Sequence, residues 1–132
     1  MVNSLNWNLD RVPTGDNDAI IRANSTVIEN QEVKNLTVDP GYTLSINNGN
    51  KVSIKEDLTN NGDFDGDGVV VFDGNVAQNI IGDGTDAGTF TNIKVNNSLG
   101  LTLQDNITIL ESLNLESGDF TSNGRATFFY DF

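Results

Sequence analysis

Apolar and polar residues alternate with a period of two in many short stretches of the chain, and no stretch has a helical period. A period of two places every second side chain on the same face of an extended strand. The stretches that share this alternation are residues 36–38, 42–46, 52–54, 93–95, 101–103, 107–109 and 113–115. The pattern predicts short strands, each with one apolar face, and no helix longer than a turn.

Turn-forming residues separate these stretches. The chain contains 13 Gly and only 2 Pro, and residues that accept a positive φ recur as Asn-Gly and Asp-Gly pairs. These pairs are Asn48-Gly49, Asn61-Gly62, Asp65-Gly66, Asp67-Gly68, Asp73-Gly74, Asp83-Gly84 and Asn123-Gly124. Short strands between turns at this density are typical of a β-sandwich, a β-barrel or a β-solenoid.

An internal repeat favours the solenoid. Three blocks recur 55 to 57 residues later in the chain: 33–38 recurs at 90–95, 52–58 at 107–113, and 62–64 at 118–120. Stacked repeat folds contain such units, and Asn at repeated turns can form hydrogen-bonded ladders between coils. We predict an all-β, right-handed parallel β-solenoid (β-helix) over residues 18–124. The alternative is an antiparallel β-sandwich, in which consecutive strands pair as hairpins.

The predicted core consists of the apolar residues at alternating strand positions. Those predicted to point inward are Leu36, Val38, Leu44, Ile46, Val52, Ile54, Ile93, Val95, Leu101, Leu103, Ile107, Ile109 and Leu113. Phe64, Phe72, Phe90 and Phe120 also lie at apolar strand positions and are predicted to fill the core; the alternative is a stripe of rings that stack on sugars. Trp7 is predicted to cap the first coil.

Composition narrows the range of functions. The chain has 7 basic and 19 acidic residues, with a formal net charge of -12, which argues against nucleic acid and anionic lipid as partners. It contains no Cys and no His, so disulfides, a thiolate nucleophile and the commonest general base are excluded. The apolar runs are too short to span a bilayer, and the basic residues are scattered. We therefore expect no membrane insertion and no enzymatic activity.

We predict a single β-solenoid module over residues 1–132 that is a fragment of a longer repeat protein. Residues 1–17 are assigned to an N-terminal cap segment, 18–124 to the coils, and 125–132 to the start of a further coil. Four of the last five residues are aromatic, and we expect the chain to self-associate through this end. The alternative is that these aromatics fold back as a cap. Deleting residues 126–132 reduces association in the first case and stability in the second.

One segment resembles the start of a calcium-binding loop. Asp63, Asp65 and Asp67 stand at positions 1, 3 and 5, and a Gly follows at position 6; this spacing directs several oxygens at one hard cation. The twelfth position is Gly74, where such a loop requires a bidentate Glu. The sequence therefore leaves two interpretations open, a Ca²⁺ site formed by the three aspartates or a solvated acidic turn. Ca²⁺ is the only cofactor that it suggests.

The order of several motifs resembles a repeat common in large surface proteins of Bacteroidetes. The motifs that carry the resemblance are Asn6-Trp7, Val12-Pro13-Thr14, Asn35 to Val38, Leu44-x-Ile46, Val52-x-Ile54, Asn60-Asn61-Gly62, Phe72 to Gly74, Ala77 to Ile80, Phe90 to Ile93 and Gly118-Asp119-Phe120. The resemblance covers residues 6 to 124. The order and spacing of the motifs together carry the resemblance.

This resemblance implies a β-solenoid segment of a secreted or cell-surface, adhesin-like protein. The implied function is a non-catalytic structural spacer or adhesin-type segment. The implied partners are neighbouring repeats of the same polypeptide, with glycans or other surface proteins as candidate external partners. A function from a different class, a calcium-assisted carbohydrate-binding module, is the alternative.

Overall fold

A computed structural model describes residues 13–84 and 86–129. These residues form fifteen strands and no helix, and they stack as a parallel β-solenoid of about 5 turns. The predicted parallel solenoid is confirmed. The antiparallel sandwich is wrong, because every strand pairing among the described residues is parallel.

Three parallel sheets form the sides of the solenoid, and each strand stacks on its equivalent from the preceding coil. Sheet A contains β1 (Ala19–Ile21), β4 (Leu36–Val38), β7 (Leu58–Asn60), β10 (Gln78–Ile81), β12 (Leu101–Leu103) and β14 (Phe120–Thr121). Sheet B contains β2 (Ser25–Val27), β5 (Thr43–Ile46) and β8 (Asp63–Asp65). Sheet C contains β3 (Gln31–Val33), β6 (Lys51–Ile54), β9 (Val69–Phe72), β11 (Asp86–Asn96), β13 (Asn106–Ser117) and β15 (Ala126–Phe128).

The coil length follows from the strand register. Leu36 pairs with Leu58, and Leu58 with Ile80, so these coils each contain 22 residues. The 55- to 57-residue repeat seen in the sequence does not correspond to this unit. Its first block aligns Leu36 with Ile93, but Leu36 lies in sheet A and Ile93 in sheet C. The blocks resemble each other because they share strand alternation and turn residues, which recur on every side of the solenoid.

The core is a set of columns of apolar side chains that run along the solenoid axis. Of the thirteen residues predicted to point inward, all but Leu113 are buried, and Leu113 packs against the core while partly exposed. Phe72 and Phe90 are buried, and Phe64 and Phe120 pack against the same cluster. The prediction that the four Phe residues fill the core is confirmed. The rings of Phe64 and Phe90, from successive coils, pack against each other with 4.9 Å between their centroids and 42° between their planes.

The cross-section changes after the third coil. Sheet B ends with β8, and the next coil contains β11, an 11-residue strand that begins shortly after β10. The first half of β11 lies beside β8, where the Thr91 hydroxyl donates to the Gly66 carbonyl at 2.7 Å. Register shifts between β11 and β13 mark irregularities that allow a long strand to bend. One bent strand thus replaces two short ones.

Hydrogen-bonded polar side chains connect successive coils along sheet A. Asp18, Asn35 and Asp57 each precede a strand of this sheet, Asn79 lies within β10, and Gln104 follows β12. Asn35 donates to Asp18 at 2.9 Å and accepts from the backbone nitrogen of Asp57 at 2.8 Å. Asp57 accepts from the nitrogen and the amide of Asn79, and Asn79 accepts from Gln104 at 2.9 Å. This ladder extends over five successive coils. The ladder combines Asp, Asn and Gln side chains at turn and strand positions, whereas the sequence suggested stacked Asn at repeated turns.

Candidate binding surfaces on the outside of the solenoid

The three aspartates predicted to bind calcium lie on the outside of sheet B and in the turn that follows it. Asp63 and Asp65 belong to β8 and are exposed. They point away from the core because Phe64 between them points inward and side chains alternate between the two faces of a strand. Asp67 is also exposed and follows Gly66, which has a φ of 85°. The segment is an extended strand followed by a turn.

The strand conformation results from pairing between coils. Thr43 pairs with Asp63 and Ser45 with Asp65, so β8 extends the parallel ladder of sheet B. Among residues 13–84 and 86–129, no three acidic side chains come together in a group that could hold a metal ion. Calcium binding by Asp63, Asp65 and Asp67 stays a prediction.

A shallow groove with many amide side chains crosses the outer face of sheet C. We call it the amide groove and define it by Asn48, Lys51, Asp67, Asn92 and Lys94; its volume is about 520 Å³. The register of β6, β9 and β11 brings these strands side by side. Amides, an ammonium group and a carboxylate offer both donors and acceptors. Such a surface suits a neutral, hydroxyl-rich ligand.

Other side chains position the groove residues and complete its lining. The Asn92 amide donates to the Asp67 carbonyl at 3.1 Å and accepts from the Ser112 hydroxyl at 2.6 Å. Val69 and Val71 of β9 contribute apolar surface. The groove therefore combines an apolar floor with hydrogen-bonding groups whose positions are set by the strand ladder.

A second groove, of about 830 Å³, lies at the end of sheet C and is lined by charged residues. Lys55 is 3.0 Å from Asp73 and 3.7 Å from Glu32, measured between the ammonium nitrogen and a carboxylate oxygen. Lys34 is 3.8 Å from Glu56. Each pair joins side chains from successive coils. Because these charges are partly exposed, each pair adds at most about 1 kcal/mol to stability, and their mutual pairing favours a structural role.

The sequence analysis did not predict the buried, hydrogen-bonded pair Gln78 and Asn97 between sheets A and C, which we call the polar node. Gln78 is 1% exposed; its amide donates to the carbonyls of Ile54 and Glu56 at 2.7 and 2.6 Å. Its amide oxygen accepts from the Gly74 nitrogen at 3.0 Å and from the Asn97 amide at 2.9 Å. The signal was available, because Gln78 occupies an inward strand position two residues before the apolar Ile80.

The last coil leaves part of its inner surface uncovered by the described residues. One column of inward side chains begins at Val33, includes Phe72 and Val95, and ends at Leu115. Its side chains are 0% exposed except that of Leu115, which is 49% exposed. The reason is that β15 pairs with β13 only over Ile107–Ile109. Phe128 and Phe129 are exposed as well. These features are compatible with self-association through this end, which stays a prediction.

Some predicted features lie outside the described residues. They are Trp7, most of the cap segment over residues 1–17, and the last three residues of the aromatic end. In the described part of the chain, no segment forms a helix of the length and apolarity that crossing a membrane requires.

Comparison with protein-family models, with curated proteins and with solved structures gives no match for this chain. The resemblance to Bacteroidetes surface repeats therefore rests on the sequence motifs, and the parallel solenoid is the part of its implications that the structure bears out.

Proposed function

We propose that this chain is a structural spacer or adhesin-type segment of a large secreted or cell-surface bacterial protein, and that it carries out no catalysis. The observation that carries the proposal is the continuous stacking of sheets A and C through six strands each. Stacked strands lie about 4.8 Å apart, so five steps extend the segment by about 24 Å along its axis. A fold of this kind lengthens by adding coils, each of which contacts only its neighbours.

Stiffness is the physical property that such a segment supplies. Each inner coil hydrogen-bonds to a neighbour on both sides, and its apolar columns are covered on both sides as well. Bending the solenoid would break hydrogen-bond ladders on one side and expose buried side chains. The free-energy cost of both changes keeps the coils aligned. Ion pairs such as Arg22–Asp39 and Lys94–Glu116, at 3.1 and 2.9 Å, connect successive coils on the surface.

The proposed partners are neighbouring repeats of the same polypeptide. The partly uncovered last coil and its exposed Leu115 fit a further coil stacked on that end. Glycans or other surface proteins are proposed as external partners, and the resemblance to surface repeats supports a location outside the cell. The high net negative charge of -12 opposes non-specific association between such proteins.

Distance measurement between the first and last coils tests the spacer proposal. The chain contains no Cys, so Thr26→Cys and Thr127→Cys introduce two spin labels at exposed positions of β2 and β15. We expect double electron–electron resonance to give one narrow distance distribution, because five stacked steps hold the labels about 24 Å apart along the axis.

The control is the same doubly labelled chain unfolded in concentrated denaturant, which gives the width of the distance distribution for a flexible chain. We expect the distribution of the native chain to be much narrower, and mild denaturant below the unfolding transition to leave it unchanged. A native distribution as broad as that of the unfolded chain would contradict a stiff spacer.

A second candidate function, a calcium-assisted carbohydrate-binding module, is favoured by the amide groove, which includes Asp67. Calcium titration with thermal melting, followed by a glycan array, separates the two functions. A ligand at ten times its Kd would stabilise the fold by about 1.4 kcal/mol and raise the melting temperature by several degrees. If the chain is a spacer, we expect no calcium-specific shift and no saturable glycan binding.

The control variants separate the calcium site from the groove. Changing Asp63, Asp65 and Asp67 to Asn removes the carboxylates, and Asn92→Ala alters the groove. A calcium shift that the triple variant abolishes, together with glycan binding that Asn92→Ala abolishes, would support the second function instead of the first.

A further inference from the structure

Asn-Gly pairs occur three times in the chain, at Asn48, Asn61 and Asn123. In such a pair the backbone nitrogen of Gly can attack the side-chain amide carbon of Asn. A C–N bond forms, ammonia leaves, and water then opens the resulting succinimide to aspartate or isoaspartate. The reaction needs no oxidant, reductant or enzyme. Its rate in a folded protein depends on whether the Gly nitrogen is free to approach and whether the backbone has room for the ring.

Asn48 and Gly49 meet both conditions. Both residues are exposed in a turn that is closed by a 3.0 Å hydrogen bond from the Asn50 nitrogen to the Asn47 carbonyl. Gly49 has a φ of 84°, and no heavy atom would lie within 4 Å of a side-chain carbon added to it. The space beside Gly49 is therefore open, so the backbone of this turn can shift as the succinimide and isoaspartate form.

Asn61 and Gly62 are held in place by their surroundings. The Gly62 nitrogen donates to the side-chain oxygen of Asn60 at 3.2 Å, and the Asn61 nitrogen donates to the Val38 carbonyl at 2.9 Å. A side-chain carbon added to Gly62 would collide with backbone carbonyl oxygens of the preceding coil. Attack at this pair requires local opening of the coil.

The fold restrains Asn123 and Gly124 more than Asn48 and Gly49 but less than Asn61 and Gly62. No heavy atom would lie within 4 Å of a carbon added to Gly124. However, the Asn123 amide donates to the Leu103 carbonyl at 3.3 Å, and the Gly124 nitrogen donates to the Ser122 hydroxyl at 3.4 Å. These hydrogen bonds are long, and they must break before the nitrogen can attack.

We propose that Asn48 is a site of spontaneous deamidation that the fold leaves open, whereas it protects Asn61 strongly and Asn123 partly. Asn48 is one of the residues that line the amide groove, together with Lys51, Lys94 and Asp67, and Lys94 is paired with Glu116 at 2.9 Å. A carboxylate at position 48 adds one negative charge to this lining. Deamidation at this turn thus changes the electrostatic character of the groove without a change of fold.

Peptide mapping by mass spectrometry tests the proposal. The full chain is incubated in mildly alkaline buffer, and the aspartate and isoaspartate products of the three pairs are followed over time. We expect Asn48 to react at least about tenfold faster than Asn61, a ratio that corresponds to about 1.4 kcal/mol of additional barrier. Asn123 is expected to react at an intermediate rate.

The same incubation in denaturant is the control for the role of the fold, and the three rates are expected to converge there. An Asn48→Gln variant should keep its native melting temperature and lose the fastest product. Reaction at Asn61 or Asn123 as fast as at Asn48 in the native chain would overturn the proposal. So would an Asn48 that stays intact in the native chain while it reacts in denaturant.

Discussion

Replacement of Phe72 by alanine is expected to lower the free energy of unfolding by about 3–5 kcal/mol. Phe72 is 0% exposed and lies in β9, between Ile54 of β6 and Val95 of β11. The ladders on both sides hold the backbone in place, so the coil cannot collapse into the cavity. Since domains of this size are stable by only about 5–15 kcal/mol, the loss is a large part of the total. Urea unfolding followed by circular dichroism measures it.

Phe129→Ala is the matched control, because it removes the same atoms from a side chain that is 62% exposed. We expect a loss below about 1 kcal/mol for this variant. Equal losses for the two variants would show that Phe72 does not occupy the centre of the core.

Replacement of Gln78 by leucine is expected to destabilise the chain by about 2–4 kcal/mol. Leucine has a similar size, so the change tests the hydrogen bonds rather than the volume. It leaves the buried carbonyl of Ile54 and the half-buried carbonyl of Glu56 without the Gln78 amide as donor, and it removes one of the two acceptors of the Asn97 amide. Buried polar groups without partners cost far more than exposed ones. The measurement is again the free energy of unfolding in urea.

Gln104→Leu provides the comparison for this second variant. Gln104 is exposed, and its amide donates to Asn79 on the surface. We expect a change of at most about 0.5 kcal/mol. If Gln78→Leu were equally mild, the node would contribute packing volume and little hydrogen-bond energy.

The candidate surfaces were only partly predictable. The acidic spacing of Asp63, Asp65 and Asp67 is visible in the sequence, but the calcium interpretation assumed a loop. Pairing with Thr43 and Ser45 in the preceding coil places Asp63 and Asp65 in a strand and leaves Asp67 in the turn that follows. The amide groove was not predicted at all, because Lys51 and Asn92 are far apart in the chain and meet only through the register of β6, β9 and β11.

The sequence by itself determined seven of the strand segments and the inward side of each. Leu36 and Val38, or Leu101 and Leu103, are separated by one polar residue, and this short-range alternation decides which face is buried. The same local information marked the turns and identified Phe64, Phe72, Phe90 and Phe120 as core residues. The sequence also indicated a buried polar position at Gln78, because the alternation in this strand predicts an apolar residue there.

Only the tertiary structure decided the coil length, the register and the chemical setting of identical local motifs. Leu36 pairs with Leu58 because the intervening turns bring two strands together over 22 residues, and no local pattern specifies that distance. Asn48-Gly49 and Asn61-Gly62 are the same dipeptide, yet one lies in an open turn and the other against the preceding coil. The physical reason is that side-chain alternation acts between neighbours in the chain, whereas backbone pairing and burial act between residues a full coil apart.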